Sequence, residues 1–207
     1  MRRVAVILGL WALSLLLSTA AWADGINLTN VFGTVNITNA GIVTKGSELK
    51  SYNGIVAPPG RSLGTVSFST GAFLGASILS GGTFSSSGSS FIVTSAGGHY
   101  GQPPKGTIFS GSFVGPILWI LVSHPGKFTY NFALSGTISG MLYTGRDVTG
   151  TTTQNITLYK NQWSQDHMGL IRLGNSRLSV PEPGTLGLLG TGLIAVAGSM
   201  RRKLLGA

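Results

Sequence analysis

Short β-like runs, each ended by turn residues, fill the sequence from Asp24 to about Ser179. Gly, Pro or Asn-Gly separates most of them, as in Asn53-Gly54 and Pro58-Pro59-Gly60, and turns require such residues. No window of about 12 residues in this segment has helical periodicity. This pattern predicts an all-β fold, an antiparallel β-sandwich or a jelly-roll-like domain. The predicted strands are Ile26–Thr29, Val35–Thr38, Leu49–Val56, Leu63–Ser69, Phe91–Thr94, Thr107–Val114, Ile117–Val122, Lys127–Leu134, Thr137–Tyr143 and Thr151–Tyr159.

Two neighbouring runs predict the centre of this domain. Lys127–Leu134 alternates, which is typical of a half-buried strand. Ile117–Val122 is apolar on both faces, so we expect a central strand that is covered on each side, with Trp119 in the core. Ser123-His124-Pro125-Gly126 joins the two runs and predicts a hairpin at the heart of the core. The side chains expected on the buried face of the first run are Phe128, Tyr130, Phe132 and Leu134.

The first 23 residues have the pattern of a secretory signal peptide. Arg2 and Arg3 precede the apolar stretch Val4–Leu17, and small residues follow at Ala21 and Ala23. A basic start, an apolar stretch and an Ala-x-Ala site are what signal peptidase recognises. We therefore expect export and cleavage after Ala23.

The C-terminal segment, from Val180 to Ala207, has three parts. Pro181-Glu182-Pro183 holds the backbone extended and accessible to a processing enzyme. The apolar stretch 185–200 predicts a short membrane helix, and the basic cluster Arg201-Arg202-Lys203 predicts retention on the cytoplasmic side. This order is a stop-transfer arrangement with a cleavage site in front of it, and an ordinary membrane anchor that is never processed is the alternative.

Together these three parts resemble the PEP-CTERM sorting signal. The resemblance covers only the tail, and it implies an exported protein that an exosortase-type enzyme recognises and processes. It also implies transient anchoring in the inner membrane through the C-terminal helix, followed by release to the cell envelope, the outer surface or the extracellular matrix. The domain organisation expected from the whole sequence is a signal peptide (1–23), a β-rich extracellular domain (24–179) and a sorting tail (180–207).

The positive charge of the chain does not predict nucleic-acid binding. The formal net charge is +9, but five of the basic residues belong to the two terminal signals. The remaining nine are dispersed, whereas nucleic-acid binding needs a concentrated basic surface. These nine are Lys45, Lys50, Arg61, Lys105, Lys127, Arg146, Lys160, Arg172 and Arg177.

Residues that carry catalysis or bind metals are scarce. The chain has no cysteine, which excludes disulfides, thiol nucleophiles and Cys-ligated metals. Only Glu48, Asp147 and Asp166 are acids outside the termini and the sorting motif, and nothing in their spacing predicts the facing carboxylate pair of a glycosidase. The three histidines, His99, His124 and His167, are isolated from one another. We therefore predict no catalytic residues, no metal site and no cofactor.

Aromatic side chains leave one binding function open. Carbohydrate-binding modules stack sugar rings on exposed aromatic faces, and Tyr100 and Trp163 fall in polar, loop-like stretches. The function predicted from the sequence is a non-enzymatic surface or matrix-associated protein, and the alternative is a carbohydrate-binding module for extracellular polysaccharide. The candidate aromatics are Tyr52, Tyr100, Trp119, Tyr143, Tyr159 and Trp163.

Overall fold

The structure, a computed structural model, describes residues 25–98, 103–159 and 167–180. Within these ranges the chain is built of strands, with a single 3₁₀ turn at Ile78–Ser80. The all-β prediction is therefore confirmed. The strands are β1 (Gly25–Val31), β2 (Thr34–Thr38), β3 (Gly41–Lys45), β4 (Ser47–Tyr52), β5 (Ile55–Val56), β6 (Gly64–Ser69), β7 (Gly82–Phe84), β8 (Ser90–Ser95), β9 (Gly106–Gly126), β10 (Thr129–Leu142), β11 (Asp147–Tyr159) and β12 (His167–Ser179).

All the strands belong to one antiparallel sheet that closes on itself. Eight of them follow one another around a barrel in the order β11, β10, β9, β8, β6, β3, β2 and β12, and pairing between β12 and β11 closes the ring. The expected sandwich or jelly roll is wrong in this respect, because there is one closed sheet instead of two facing sheets. Strands of up to 21 residues, of which β8 to β12 pair in sequence order, can coil far enough for the ends of the sheet to meet.

Two sharp bends extend the barrel wall beyond β2 and β3. Phe32 and Gly33 have φ angles of 61° and 86° between β1 and β2, and Gly46 has 70° between β3 and β4. Past these bends β1 pairs with β12 and β4, and β4 pairs with β6. The first and last strands are thus hydrogen-bonded to each other, with Gly25 opposite Ser179.

Strands β9 and β10 each replace two predicted strands. Val114 lies opposite Thr137 and Leu118 opposite Ser135, so three residues of β9 face one residue of β10. This is a bulge, and Gly115 adopts the φ of 75° within it. Because a bulge interrupts the alternation of side chains, the sequence pattern is read as two runs although the pairing continues.

Aromatic rings fill the interior beside β6, β7, β8, β9 and β10. Trp119 is 1% exposed and stacks on Phe132 with ring centroids 4.2 Å apart. Its Nε1 donates a 2.8 Å hydrogen bond to the Ile78 carbonyl oxygen, so the only polar atom of this large side chain is satisfied. The prediction that Trp119 belongs to the core is confirmed. The other fully or almost fully buried rings are Phe68, Phe84, Phe91, Phe109 and Phe113.

The interior beside β1, β4, β11 and β12 is instead crossed by buried polar side chains. Asn30 Nδ2 donates to Gln154 Oε1 at 3.0 Å and to Ser47 Oγ at 2.7 Å. Gln154 Nε2 in turn donates to Asn30 Oδ1 at 3.3 Å and to Thr152 Oγ1 at 2.9 Å. Gly174 lies between the two amides, and a Cβ there would come within 2.2 Å of Asn30 Oδ1. The glycine therefore lets two side chains on non-adjacent strands meet.

The outer face of β9 is not covered, contrary to the prediction for Ile117–Val122. Ile117 and Trp119 point inward and are buried, but Leu118, Ile120 and Val122 are 45%, 50% and 62% exposed. The predicted hairpin exists, but its turn is at residues 127–128, at one end of the barrel, and Ser123–Gly126 are exposed. Apolar residues on both faces of a strand thus do not prove that both faces are buried, since a barrel has only one interior.

Candidate functional site

A groove crosses the outer face of β9, β10, β11 and β12 near the β9–β10 turn. Its volume is about 600 Å³, which is within the size range of sites for small ligands. Apolar groups from β9 form one flank, and hydroxyl, amide and guanidinium groups form the rest. The lining residues are Val122, Ser123, Pro125, Thr129, Asn131, Phe132, Asn155, Ile156, Thr157 and Arg172.

A chain of hydrogen bonds holds the polar side chains of this groove. Asn131 Nδ2 donates to Ser123 Oγ at 2.9 Å, and Thr157 Oγ1 donates to Asn131 Oδ1 at 2.8 Å. Arg172 Nε donates to Thr157 Oγ1 at 3.2 Å, and its Nη2 donates to the Tyr159 hydroxyl at 2.8 Å. One residue from each of β9 and β10, two from β11 and one from β12 are thus fixed in a row by the register of the sheet.

Arg172 brings a positive charge that nothing in the described chain neutralises. The ion pair recorded within residues 25–98, 103–159 and 167–180 joins Lys50 to Glu48. Glu48 lies on β4, and Asp147 begins β11 at the end far from the groove. Lys127, which lies over the ring of Phe128 in the β9–β10 turn, adds a second cation at the same end of the barrel.

Aromatic rings are also present at this end. Tyr159 is 47% exposed beside Arg172, and the His124 ring stacks on Tyr130 at a centroid distance of 4.0 Å. Tyr159 was a candidate from the sequence, and of the described candidates it is the one that lies beside the groove, through its hydrogen bond to Arg172. Tyr100, Trp163 and His99 lie outside the described residues.

The remaining aromatic candidates are elsewhere. Tyr52 on β4 is partly buried against the core, and Tyr143 directly follows β10 at the end opposite the groove. Burial raises the pKa of Tyr52 above its usual value of 10.0, and the negative charge of Tyr143 adds to this. The Tyr52 phenol therefore holds its proton more tightly, and the side chain serves to pack against the core.

The structure does not bring Glu48 and Asp147 together. Their strands, β4 and β11, are separated by β1 and β12, so three strand spacings, on the order of 14 Å, lie between them. Glycosidase carboxylates are about 5–10 Å apart. Asp166, the other acid weighed from the sequence, lies outside the described residues, and within those residues no three His, Asp or Glu side chains cluster as a metal site would require.

The terminal signals are outside the described ranges. These include the signal-cleavage residues Ala21 and Ala23, the Pro181-Glu182-Pro183 motif and the basic cluster Arg201-Arg202-Lys203. In residues 25–98, 103–159 and 167–180, no helix has the length and apolar character that crossing a membrane needs. The predicted membrane helix 185–200 does not fall in these ranges.

Comparison with protein families identifies the tail. The model of the PEP-CTERM protein-sorting motif matches residues 179–203. This chain carries a PEP-CTERM sorting motif. The match begins at Ser179, the last residue of β12, and ends at Lys203. No curated protein and no solved structure gives a significant match to the chain.

The PEP-CTERM motif indicates an exported protein of the cell envelope that an exosortase-type enzyme processes. The recognition made from the sequence is therefore confirmed, including its restriction to the tail. The roles of the individual motif residues stay predictions.

Sequence reasoning did not find the groove. Its residues come from four strands, and β12, which supplies Arg172, is absent from the predicted strands. The available signal was the alternation of polar residues with buried ones in β10 and β11, as at Asn131 and Asn155. That alternation shows an outward face, but the partners of a residue on that face follow only from the register.

Proposed function

We propose that this PEP-CTERM protein is a non-enzymatic structural or adhesive component of the outer surface or extracellular matrix. A signal peptide exports it, an apolar tail holds it briefly at the inner membrane, and an exosortase-type enzyme removes that tail. The observation that carries the proposal is the sorting motif at residues 179–203, which begins where the last barrel strand ends.

The closed barrel supports this role. Gly25–Val180 forms a compact unit, and the ladder between β1 and β12 runs from Gly25 opposite Ser179 to Asn30 opposite Gly174. Cleavage on either side of this ladder removes no barrel strand. Closure also leaves few exposed strand edges, which favours a protein that must remain folded outside the cell.

The intact mass of the native protein, recovered from its own cells, tests the proposal. We expect a chain that starts at Asp24 and ends near Pro183, and we expect a variant truncated after Ser179 to change location. A native mass that retains 185–207, together with unchanged localisation of the truncated variant, would identify an ordinary membrane anchor and contradict the sorting proposal.

Saccharide binding is a second candidate function, and the groove on β9–β12 favours it. Asn131 and Arg172, held by Thr157, offer fixed polar groups to hydroxyl groups, while Val122 and Pro125 offer an apolar flank to the C–H face of a ring. Sites for small polar ligands combine these two features.

Retention of the protein on extracellular polysaccharide tests this second function. We expect Asn131→Ala to weaken retention, because it removes the amide at the centre of the polar row. Tyr100→Ala and Trp163→Ala test the aromatic candidates chosen from the sequence in the same assay. Undiminished retention of the Asn131 variant would exclude the groove as the binding site.

A further inference from the structure

The guanidinium group of Arg172 is held in place by hydrogen bonds, and no carboxylate among residues 25–98, 103–159 and 167–180 neutralises it. An arginine has five N–H donors, and the contacts to Thr157 and Tyr159 use two of them. Within the part of the chain that the structure describes, the other three donors are open to a ligand or to water. Since Thr157 is 5% exposed and is itself bonded to Asn131, the guanidinium rests on a rigid support.

The charge around this group favours an anion. Neither of the two acids in the described residues lies at the groove, whereas Lys127 lies at the same end of the barrel as Arg172. A carboxylate matches the planar, forked donors of a guanidinium better than any neutral acceptor does.

The rest of the groove selects the molecule that carries the carboxylate. Ser123, Asn131 and Asn155 line it with hydroxyl and amide groups, and Val122 and Pro125 form its apolar flank. A pyranose ring has hydroxyl groups at its edge and an apolar C–H face, so it complements both surfaces.

We propose that Arg172 binds the carboxylate of an acidic sugar, so that the groove takes a uronic-acid unit of a polysaccharide. This inference rests on the saccharide-binding function proposed above and names its ligand class. Arg172 supplies the charge-assisted contact, and Asn131 positions the ring through its hydroxyl groups.

The test compares two probes with the same sugar backbone, one with charged carboxylates and one with neutral methyl esters. Oligogalacturonate carries one carboxylate on each ring, and its fully methyl-esterified form carries none. We expect the native protein to bind the acid at least about tenfold more tightly than the ester in calorimetric titration, the size of one charge-assisted contact. Arg172→Gln should abolish this preference. Arg172→Lys should keep it only in part, because lysine lacks the forked N–H donors of the guanidinium group.

Arg177→Gln is the matched control. Arg177 lies exposed on the same strand but does not line the groove. Its substitution removes the same charge as Arg172→Gln does. It should keep the preference for the acid. Tyr159→Phe, which removes the acceptor that holds Nη2 and keeps the ring, should weaken acid binding less than Arg172→Gln does, and thermal unfolding of each variant checks that the barrel is intact.

The other outcomes overturn the inference in different ways. Equal binding of acid and ester, unchanged by Arg172→Gln, would reject the carboxylate contact and leave saccharide binding standing. Failure of the native protein to bind either probe would reject the uronic-acid inference, and loss of retention on extracellular polysaccharide as well would reject the saccharide-binding function. Tighter, Arg172-dependent binding of oligoglutamate would show that the groove takes acidic peptides instead of sugars.

Discussion

The two sides of the barrel are stabilised in different ways. In the part formed by β6–β10, here called the aromatic half, the interior is filled by stacked and edge-to-face rings, such as Trp119 on Phe132 and Phe91 against Phe113. In the part formed by β1–β5, β11 and β12, the polar half, the buried amides of Asn30 and Gln154 bond to each other, and no fully buried aromatic ring is found among its described residues.

The outer surface follows the same division. Strands β6–β10 contain no Asp, Glu, Lys or Arg, and the exposed apolar side chains of Leu118, Ile120 and Val122 lie on them. The polar half carries all the charged residues that lie in strands, which are Lys45, Glu48, Lys50, Asp147, Arg172 and Arg177.

This difference separates two ways of specifying a fold. Ring packing supplies a large apolar area, but it tolerates small shifts of a strand. A buried amide pair supplies little net free energy, but a one-residue slip would leave its donors without partners. The rings of the aromatic half therefore contribute buried apolar area, whereas the amide pair of the polar half fixes the register of β1 and β11 on either side of β12. The groove lies across the boundary between the halves, on β9 to β12, and depends on that register.

Trp119→Ala should have the largest effect on stability. It removes the ring that stacks on Phe132 and leaves the Ile78 carbonyl without its donor, so the free energy of unfolding should fall by about 3–5 kcal/mol. Chemical denaturation measures this loss.

Leu118→Thr is the control on the same strand. Leu118 is 45% exposed on the outer face, so its replacement should change the free energy of unfolding by about 0.5 kcal/mol or less. A loss as large as that of the Trp119 variant would mean that the outer face of β9 is covered, and the contrast between inside and outside would fail.

Gln154→Leu should have the next largest effect. It leaves Asn30 Oδ1 without its donor and removes the Gln154 acceptor of the Asn30 amide, while Asn30 keeps Ser47 and Thr152 keeps Ser176. The unsatisfied Asn30 amide should cost about 1–3 kcal/mol. The double variant with Asn30→Leu should lose less than the two single variants added together, because no unsatisfied amide then remains. Denaturation of the three variants measures the coupling.

The matched control is Asn155→Leu, which removes an exposed amide from the same strand and should change the stability by about 0.5 kcal/mol or less. If the losses of unfolding free energy at Asn30 and Gln154 were simply additive, the hydrogen bonds between these two amides would not contribute to the stability of the polar half.

Most strands of both halves could be predicted from the sequence, and the strands without a predicted counterpart are β7 in the aromatic half and β3 and β12 in the polar half. In the aromatic half, apolar residues recur at alternate positions, as at Phe91 and Val93 in β8 and at Phe132 and Leu134 in β10, so these strands and their buried faces are recognisable locally. In β12 the buried positions include Gly174 and Ser176, which give no apolar alternation, and its strand was not predicted. The amide pair joins residues 124 apart in the sequence, and no local pattern reveals such a contact.

The same contrast applies to the two functional features. The sorting motif is linear, because a processing enzyme reads an extended segment, so Pro181-Glu182-Pro183 and the basic cluster are visible in the sequence itself. The groove requires Ser123, Asn131, Thr157 and Arg172 to be placed side by side by three strand pairings. A sequence pattern gives the face on which Asn131 and Thr157 lie, but it does not give their neighbours.

The smallest expected effect concerns Tyr52, whose pKa reports on contact between the two halves. It lies on β4 in the polar half, and Tyr143 directly follows β10 in the aromatic half. Burial first, and then the charge of Tyr143, raise the pKa of Tyr52 above 10.0. The folded state therefore binds this proton more tightly than the unfolded state does. The resulting stability is complete below pH about 10 and is lost as the pH rises through the raised pKa.

Urea denaturation at several pH values from about 9 to 11 measures this dependence in the native protein, in Tyr52→Phe and in Tyr143→Phe. Tyr52→Phe should remove the part of the alkaline decline that comes from this phenol. Tyr143→Phe should leave most of that part, because burial is the larger cause. If Tyr143→Phe instead removed as much as Tyr52→Phe, the charge across the boundary would outweigh burial, and the two halves would be electrostatically coupled at this end of the barrel. If the free energy of unfolding fell identically with pH in all three proteins, Tyr52 would be as well hydrated in the folded state as in the unfolded one. The phenol would then not be buried in the polar half.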